Sequence, residues 1–242
     1  MNYFGVLIFA GSYAIALFAC KKEKIETDQV ASLTVSDNVV GGQNLRLCNY
    51  LRDSAVIYNY KQFTIVAGNS HVYLYPSDDS SHPYYNNTIQ TVNGHVYSLF
   101  LSGNSPSSID ATLVEEKFSP YYTDSTIGVR LINLSPNSSS LHVTLASSSG
   151  ASEFADVAYK QITAFKNYPL PSVIPAGSVS FQIRDTGNTV LTTYTLPTNP
   201  YAGFPNISVN LSRNRNITLV VKGLAGTKSG SSALGVYAIA DY

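Results

Sequence analysis

The chain has 242 residues, with 15 Lys+Arg against 15 Asp+Glu; charged residues are 12% of it and hydrophobic residues 44%. That balance argues against intrinsic disorder, which needs high charge and low hydrophobicity, and against nucleic-acid binding, which needs a basic surface. The length suits one large domain or two small ones.

Met1 to Ala19 contain no charged side chain, and the apolar run from Tyr3 ends in Leu17-Phe18-Ala19-Cys20. The run is short for a membrane-spanning helix, which needs about 20 apolar residues. A small residue before a cysteine is a cleavage pattern. It predicts a signal peptide over 1–19 and acylation of Cys20, which would tie the mature chain to a membrane. The alternative is an uncleaved N-terminal anchor. Lys21-Lys22-Glu23-Lys24 resembles the charged tetrapeptides that follow the acylated cysteine in surface-exported lipoproteins of the Bacteroidetes phylum. Lys24 stands where those usually carry a second acidic residue. The expected location is the cell envelope, at the outer membrane and exposed on the surface, with 20–43 as a lipid-anchored tether. Acylation of Cys20 leaves Cys48 without an intrachain disulfide partner, so the fold must rest on its hydrophobic core. Cys48 follows Leu45-Arg46-Leu47 and is expected to be a buried, inert thiol.

Strand signals dominate the rest of the chain. His71-Val72-Tyr73-Leu74-Tyr75, His95 to Leu101, Ser178 to Arg184 and Ile217 to Val221 are rich in Val, Ile, Tyr, Phe and Thr. Those residues suit a pleated, half-buried surface. Val179, Phe181 and Ile183 alternate with polar neighbours, which predicts one face on a core and one in water. Ala67-Gly68-Asn69, Asn93-Gly94, Thr186-Gly187-Asn188 and Ser212-Arg213-Asn214 punctuate the strands as turns. The best helix candidate is Ser152 to Phe165, where Phe154, Val157, Ala158, Ile162 and Phe165 approximate helical spacing; its tail reads equally well as a strand.

Two halves of the chain look related. Asn44 to Asn49 aligns with Gly128 to Asn133, Ser98 to Gly103 with Thr218 to Gly223, and Leu113 to Phe118 with Tyr237 to Tyr242. The first copy is expected to lack one or two strands between Ser54 and Val66. Ser119-Pro120 marks the joint, because proline interrupts strand pairing. The prediction is an all-β chain with two tandem antiparallel β-sandwich domains, 44–120 and 121–242.

Val129-Arg130-Leu131-Ile132-Asn133-Leu134-Ser135-Pro136, Leu141 to Leu145, Ala158-Tyr159, Pro175-Ala176-Gly177, Val179 to Arg184 and Ile217 to Gly223 together resemble the family of domains of unknown function numbered 4397. The resemblance covers the second half well and the first half as a degenerate copy. It implies an immunoglobulin-like sandwich, often in tandem, on secreted and lipid-anchored bacterial proteins. It implies no catalytic residues. Read by itself, Ser135-Pro136-Asn137-Ser138 places proline at the second position of a turn, and Asn133 can bond the neighbouring backbone.

Catalytic motifs are missing: there is no Gly-x-Ser-x-Gly elbow, no His-Glu-x-x-His, no phosphate loop and no calcium loop. His71 and His95 each precede Val-Tyr; if their strands paired, the rings could approach one another near Asp78 or Asp79. The spacing does not demand this, and solvent-facing histidines are expected, with no metal or cofactor. Glu115 and Glu116 are adjacent, so on a strand they face opposite sides. Asp53-Ser54-Ala55 resembles an O-glycosylation triplet of Bacteroidetes envelope proteins. Tyrosine is abundant, at 18 residues with 10 Phe and no Trp. Tyr84, Tyr85, Tyr121 and Tyr122 sit in loop-like contexts where their rings could form a ligand platform. The function expected is a non-catalytic, lipid-anchored binding or assembly module with a glycan or envelope-protein partner. The alternatives are an accessory glycan-binding lipoprotein of a nutrient-uptake system and a pilus-like subunit.

Overall fold

The computed structural model describes residues 28–48, 56–118, 126–170, 179–196 and 215–241. Cys20, Ser54, Tyr121, Tyr122 and the Pro175-Ala176-Gly177 turn lie outside them. The described residues form strands and no helix.

β1 (Val30–Val39), β2 (Leu45–Cys48), β3 (Tyr60–Val66), β4 (Gly68–Pro76), β5 (Tyr85–Thr91), β6 (Val96–Ser105) and β7 (Ser108–Glu115) make two sheets, ordered β3-β1-β6-β7 and β2-β4-β5. β8 (Thr126–Asn133), β9 (Leu141–Leu145), β10 (Ser148–Val157), β11 (Lys166–Pro169), β12 (Ser180–Arg184), β13 (Val190–Thr195), β14 (Asn216–Lys222) and β15 (Gly235–Asp241) make two more, ordered β11-β8-β14-β15 and β10-β9-β12-β13. Neighbouring strands run antiparallel except β1 with β6 and β8 with β14, which are parallel. The chain is thus all-β, built of packed sheets.

Each pair of sheets encloses a core. Leu33, Val35, Leu45, Leu47, Val72, Leu74, Leu99 and Leu101 fill the first, and Val129, Leu131, Val143, Phe181, Ile183, Leu219 and Val221 the second. A third apolar cluster joins Phe100 and Val114 to Ile132, Leu134, Val220 and Ile239. It lies between the β3-β1-β6-β7 sheet and the β11-β8-β14-β15 sheet, so these are the inner layers of a four-layer stack.

This stacking explains an unusual strand chemistry. A sheet covered on both faces loses the simple apolar–polar alternation. Along β1, Leu33 and Val35 face their own core, while Thr34, Ser36 and Asn38 are buried against the second sandwich. The expectation of a tether from 20 to 43 is therefore corrected: Val30–Val39 is a central, buried strand. Its hydroxyls and amides mimic linker composition because they are partnered across an interface rather than by water.

The inner sheets also define how the two copies correspond. The parallel registers pair Thr34 with Ser98 and Arg130 with Thr218, so β1 and β6 answer to β8 and β14. The matches of Ser98–Gly103 with Thr218–Gly223 and of the strands after them agree with this register. Matching Asn44–Asn49 to Gly128–Asn133 does not: β2 pairs with β4 in an outer sheet, as β9 pairs with β12. Of the one or two strands expected to be missing there, one is missing among the described residues. β3 occupies 60–66, and the described counterpart of β10 is an isolated bridge between Leu45 and Ile57.

Two further points follow. Ser152 to Phe165, the best helix candidate, holds no helix: β10 carries register shifts at Ser152 and Phe154, which bring both Phe154 and Val157 into the core. Bulges add residues to one strand, and here they imitate a helical period. Cys48 is exposed, because Leu45 and Leu47 take the inward positions of β2 and leave Arg46 and Cys48 on the outer face.

Gly103 and Gly223 hold equivalent places. A Cβ at Gly103 would lie 2.0 Å from the Ser108 carbonyl oxygen, and one at Gly223 2.1 Å from that of Ala233. Backbone approaches this close require glycine.

Phe100 is 1% exposed and belongs to the inter-sandwich cluster rather than to either sandwich core. Phe100→Ala is expected to cost about 3–5 kcal/mol. Urea unfolding followed by far-UV circular dichroism measures it, and the loss should appear in a transition shared by both sandwiches.

Candidate functional site at the joint of the sandwiches

Polar side chains tie the inner sheets together. Arg130 donates from Nη2 to Glu116 Oε1 at 2.7 Å and from Nε to Thr218 Oγ1 at 2.8 Å. Thr218 in turn donates to Asp241. The guanidinium also lies 4.5 Å from the centre of the Phe165 ring. Arg130 is 6% exposed and Glu116 8%, so water screens this pair little. Burial pushes the Asp241 carboxyl up to about 7, against the pull of Thr218 and Arg130. The other oxygen of Glu116 is buried without a hydrogen-bond partner.

A second link is a closed ring of hydrogen bonds. Asn38 Nδ2 donates to Ser36 Oγ at 2.8 Å, and Ser36 Oγ meets the Tyr237 hydroxyl at 2.7 Å. Tyr237 donates back to Asn38 Oδ1 at 2.9 Å. Tyr60 stacks on Tyr237 with centroids 6.3 Å apart. A third link runs from Ser102 through the Tyr159 hydroxyl to Asp110, whose carboxylate also accepts from Lys160 at 2.8 Å.

Beside the ring lies a cavity of about 370 Å³, lined from the first sandwich by Asp37, Gly41, Gly42, Tyr58 and Asn59, and from the second by Lys222, Gly223 and Ser231. Asp37 is 8% exposed; its Oδ1 accepts from the Val39 N–H at 3.3 Å. Burial raises its carboxyl to about 7, opposed by that hydrogen bond and by the nearby positive charge of Lys222. Lys222 donates to Asn59 Oδ1 at 2.8 Å, and its Nζ sits 5.4 Å from the centre of the Tyr237 ring. Burial lowers its pKa, while Asp37 pulls the other way. Tyr58 stands at the rim, 71% exposed.

The residues singled out from sequence are placed differently. Tyr84 and Tyr85 are half-buried against the first core, with Tyr84 packed on the Gly42 turn, so they do not form an exposed platform. Tyr121, Tyr122 and Cys20 fall outside the described residues. His71, Tyr73 and Tyr75 form a row along the outer face of β4, with centroids 6.3 and 5.7 Å apart; His71 is exposed and the two tyrosines are half-buried, as Tyr84 and Tyr85 are. His71 lies on β4 and His95 just before β6, strands of different sheets, and the two rings are not brought together. His95 Nδ1 lies 2.9 Å from Glu115, while Glu116 turns the opposite way into the interface. Asp79 is held down to about 2 by the Ser81 hydroxyl first and His82 next, in an exposed turn. Among the described residues no group of three His, Cys, Asp or Glu is placed to hold a metal ion.

Sequence reading missed Asp37, Tyr58 and Lys222. Lys222 looked like the polar end of a strand, and Asp37 like part of a tether. The available signal was the alignment of the two copies, which sets Asp37 opposite Asn133 once β1 is recognised.

No family model and no curated protein matches the chain. Among solved structures, the C-terminal domain of AlgF from P. aeruginosa is similar to 36% of this chain and 99% of its own length, at 16% identity and a TM-score of 0.30.

Two outcomes are expected. Arg130→Met leaves Glu116 charged, buried and unpaired, and should cost about 3–5 kcal/mol in urea unfolding. The double replacement of Arg130 and Glu116 by Met should recover most of that loss. Asp37 binds its proton more tightly folded than unfolded, where its ordinary value is 3.8. Its stability contribution is therefore full below about pH 4 and lost as pH rises through about 7. Asp37→Asn should raise the melting temperature at pH 8 and leave it nearly unchanged at pH 4, read by calorimetry.

Proposed function

We propose that this chain is a non-catalytic, lipid-anchored cell-envelope protein whose paired sandwiches act as one binding or assembly module at the outer membrane. The observation that carries the binding reading is the cavity at the joint, because both sandwiches contribute polar side chains to it and the buried contacts around it fix their relative placement. A pocket at a junction of two such units, with a few convergent polar groups, is a frequent ligand-site geometry.

Support for the address comes from sequence. The uncharged run ending in Ala19-Cys20 favours signal cleavage and acylation, and Lys21-Lys22-Glu23-Lys24 favours export to the surface. One acyl chain binds a membrane weakly and several bind it stably, so lipidation of Cys20 would suffice as the anchor. The resemblance to the 4397 domain family agrees with such an address. In this reading 1–19 is removed, a short tether ends where β1 begins, and the joint between the sandwiches falls near Pro120.

The test is fractionation of cells producing the wild-type chain or Cys20→Ala. Wild-type protein is expected in the membrane fraction, extractable by detergent and digestible by protease added to intact cells; the variant is expected in the soluble fraction. Membrane association that survives Cys20→Ala overturns the lipid anchor. Protection of the wild-type protein until the outer membrane is opened overturns the surface address.

A further inference from the structure

The two copies provide an internal control for the joint cavity. Asp37 and Asn133 occupy the same register position, and each side chain accepts a hydrogen bond from the backbone N–H two residues on, Val39 at 3.3 Å and Ser135 at 3.0 Å. The strand end is the same device in both. What surrounds it is not. Asn133 is fully buried, and its amide nitrogen donates to Ser138 Oγ at 3.0 Å and to the Val157 carbonyl at 3.1 Å. Nothing is left over for a ligand. In the first copy the next turn is Gly41-Gly42, which has no side chain to reach back, and a cavity stands beside the carboxyl instead.

Asp37 and Lys222 both line that cavity, and no direct ion pair joins them. Lys222 is aimed by Asn59, which takes one of its three donor protons. Asp37 is fixed from behind by Val39. A ligand group between them must donate to a carboxylate and accept from an ammonium. A hydroxyl does both, and neighbouring hydroxyls on one ring do so without adding charge to the site. The rim supplies the complementary surface: the exposed Tyr58 ring has an apolar face suited to the C–H side of a sugar. A volume of about 370 Å³ lies at the small end of ligand pockets, which run from about 300 to 1,000 Å³.

We propose that the cavity between the sandwiches is a saccharide-binding site in which Asp37 and Lys222 hold adjacent hydroxyls of one sugar ring and Tyr58 covers its apolar face. This deepens the binding reading above and is independent of the membrane address. Asn59 is a positioning residue for Lys222, and Gly41, Gly42 and Gly223 keep the floor clear of side chains.

The experiment is saturation-transfer-difference NMR on the full chain in detergent, with D-glucose, D-galactose, D-mannose and N-acetyl-D-glucosamine as separate probes and glycine as the zwitterionic control. At least one sugar is expected to give transfer signals. Asp37→Asn and Tyr58→Ala are each expected to weaken its binding about tenfold or more, as loss of a charged hydrogen bond or a stacking face does. Both variants should stay folded, because Asn already fills the equivalent position in the second copy and Tyr58 packs on little; melting curves check this. Absence of signal from all four sugars overturns the proposal, as does sugar binding that neither variant weakens. Signals from glycine alone overturn the sugar class and assign the acid–base pair to a zwitterion. Sugar binding by a protein that fractionates as soluble removes the anchor and leaves this site standing.

Discussion

Everything else in this molecule depends on two sheets being covered on both faces. Once Phe100, Ile132, Val220 and Ile239 pack between the inner sheets, no central inner strand has a solvent side. Each polar group on those strands must then find a partner, because burying one without a hydrogen bond costs more than the bond contributes when made. The ring of Ser36, Asn38 and Tyr237, the Arg130–Glu116 pair and the Thr218–Asp241 bond are answers to that requirement. Polar contacts at such a contact fix alignment more than they add stability. The apolar cluster supplies attraction, and the hydrogen bonds select one arrangement of the two sandwiches.

The same faces of the two copies meet, and their equivalent positions have diverged in chemistry. Phe100 answers to Val220, Val114 to Ile239 and Thr34 to Arg130 in the paired registers. Phe100, Val114, Val220 and Ile239 share the apolar cluster between the inner sheets. Asp37 and Asn133 diverged in another sense: the amide closes its own turn, and the carboxyl faces a hollow. The backbone hydrogen bond at the strand end is the same in both copies, and in the first a cavity stands beside it.

The sequence was legible where strands obey a single rule. Phe181 and Ile183 alternate with polar residues and face the core as expected; Ser98–Gly103 and Thr218–Gly223 matched because both carry an apolar run before a glycine that the backbone demands. It was not legible where two constraints overlap. Thr34, Ser36, Asp37 and Asn38 look like a polar linker, and nothing local says that another sandwich will cover them. Bulges in β10 wrote a helical spacing into a strand. The site was hidden for the same reason: Asp37, Tyr58 and Lys222 are far apart in the chain and gain meaning only when the inner sheets close on each other. The tyrosines at Tyr84 and Tyr85 drew attention through composition, and composition does not distinguish a ring that lines a core from one that meets a ligand.

The direction of β1 has a mechanical consequence. β1 runs parallel to β6 and antiparallel to β3, so it is gripped on both edges over most of its length. Inter-strand hydrogen bonds lie across the strand axis or slant to it. A pull on the chain from the N-terminal side, along that axis, therefore loads both ladders in shear rather than opening them one bond at a time. The outward force is shared by many bonds at once, and through the buried contacts of Ser36 and Asn38 it passes into the second sandwich. A segment that composition makes look like slack cord is the element best placed to bear tension.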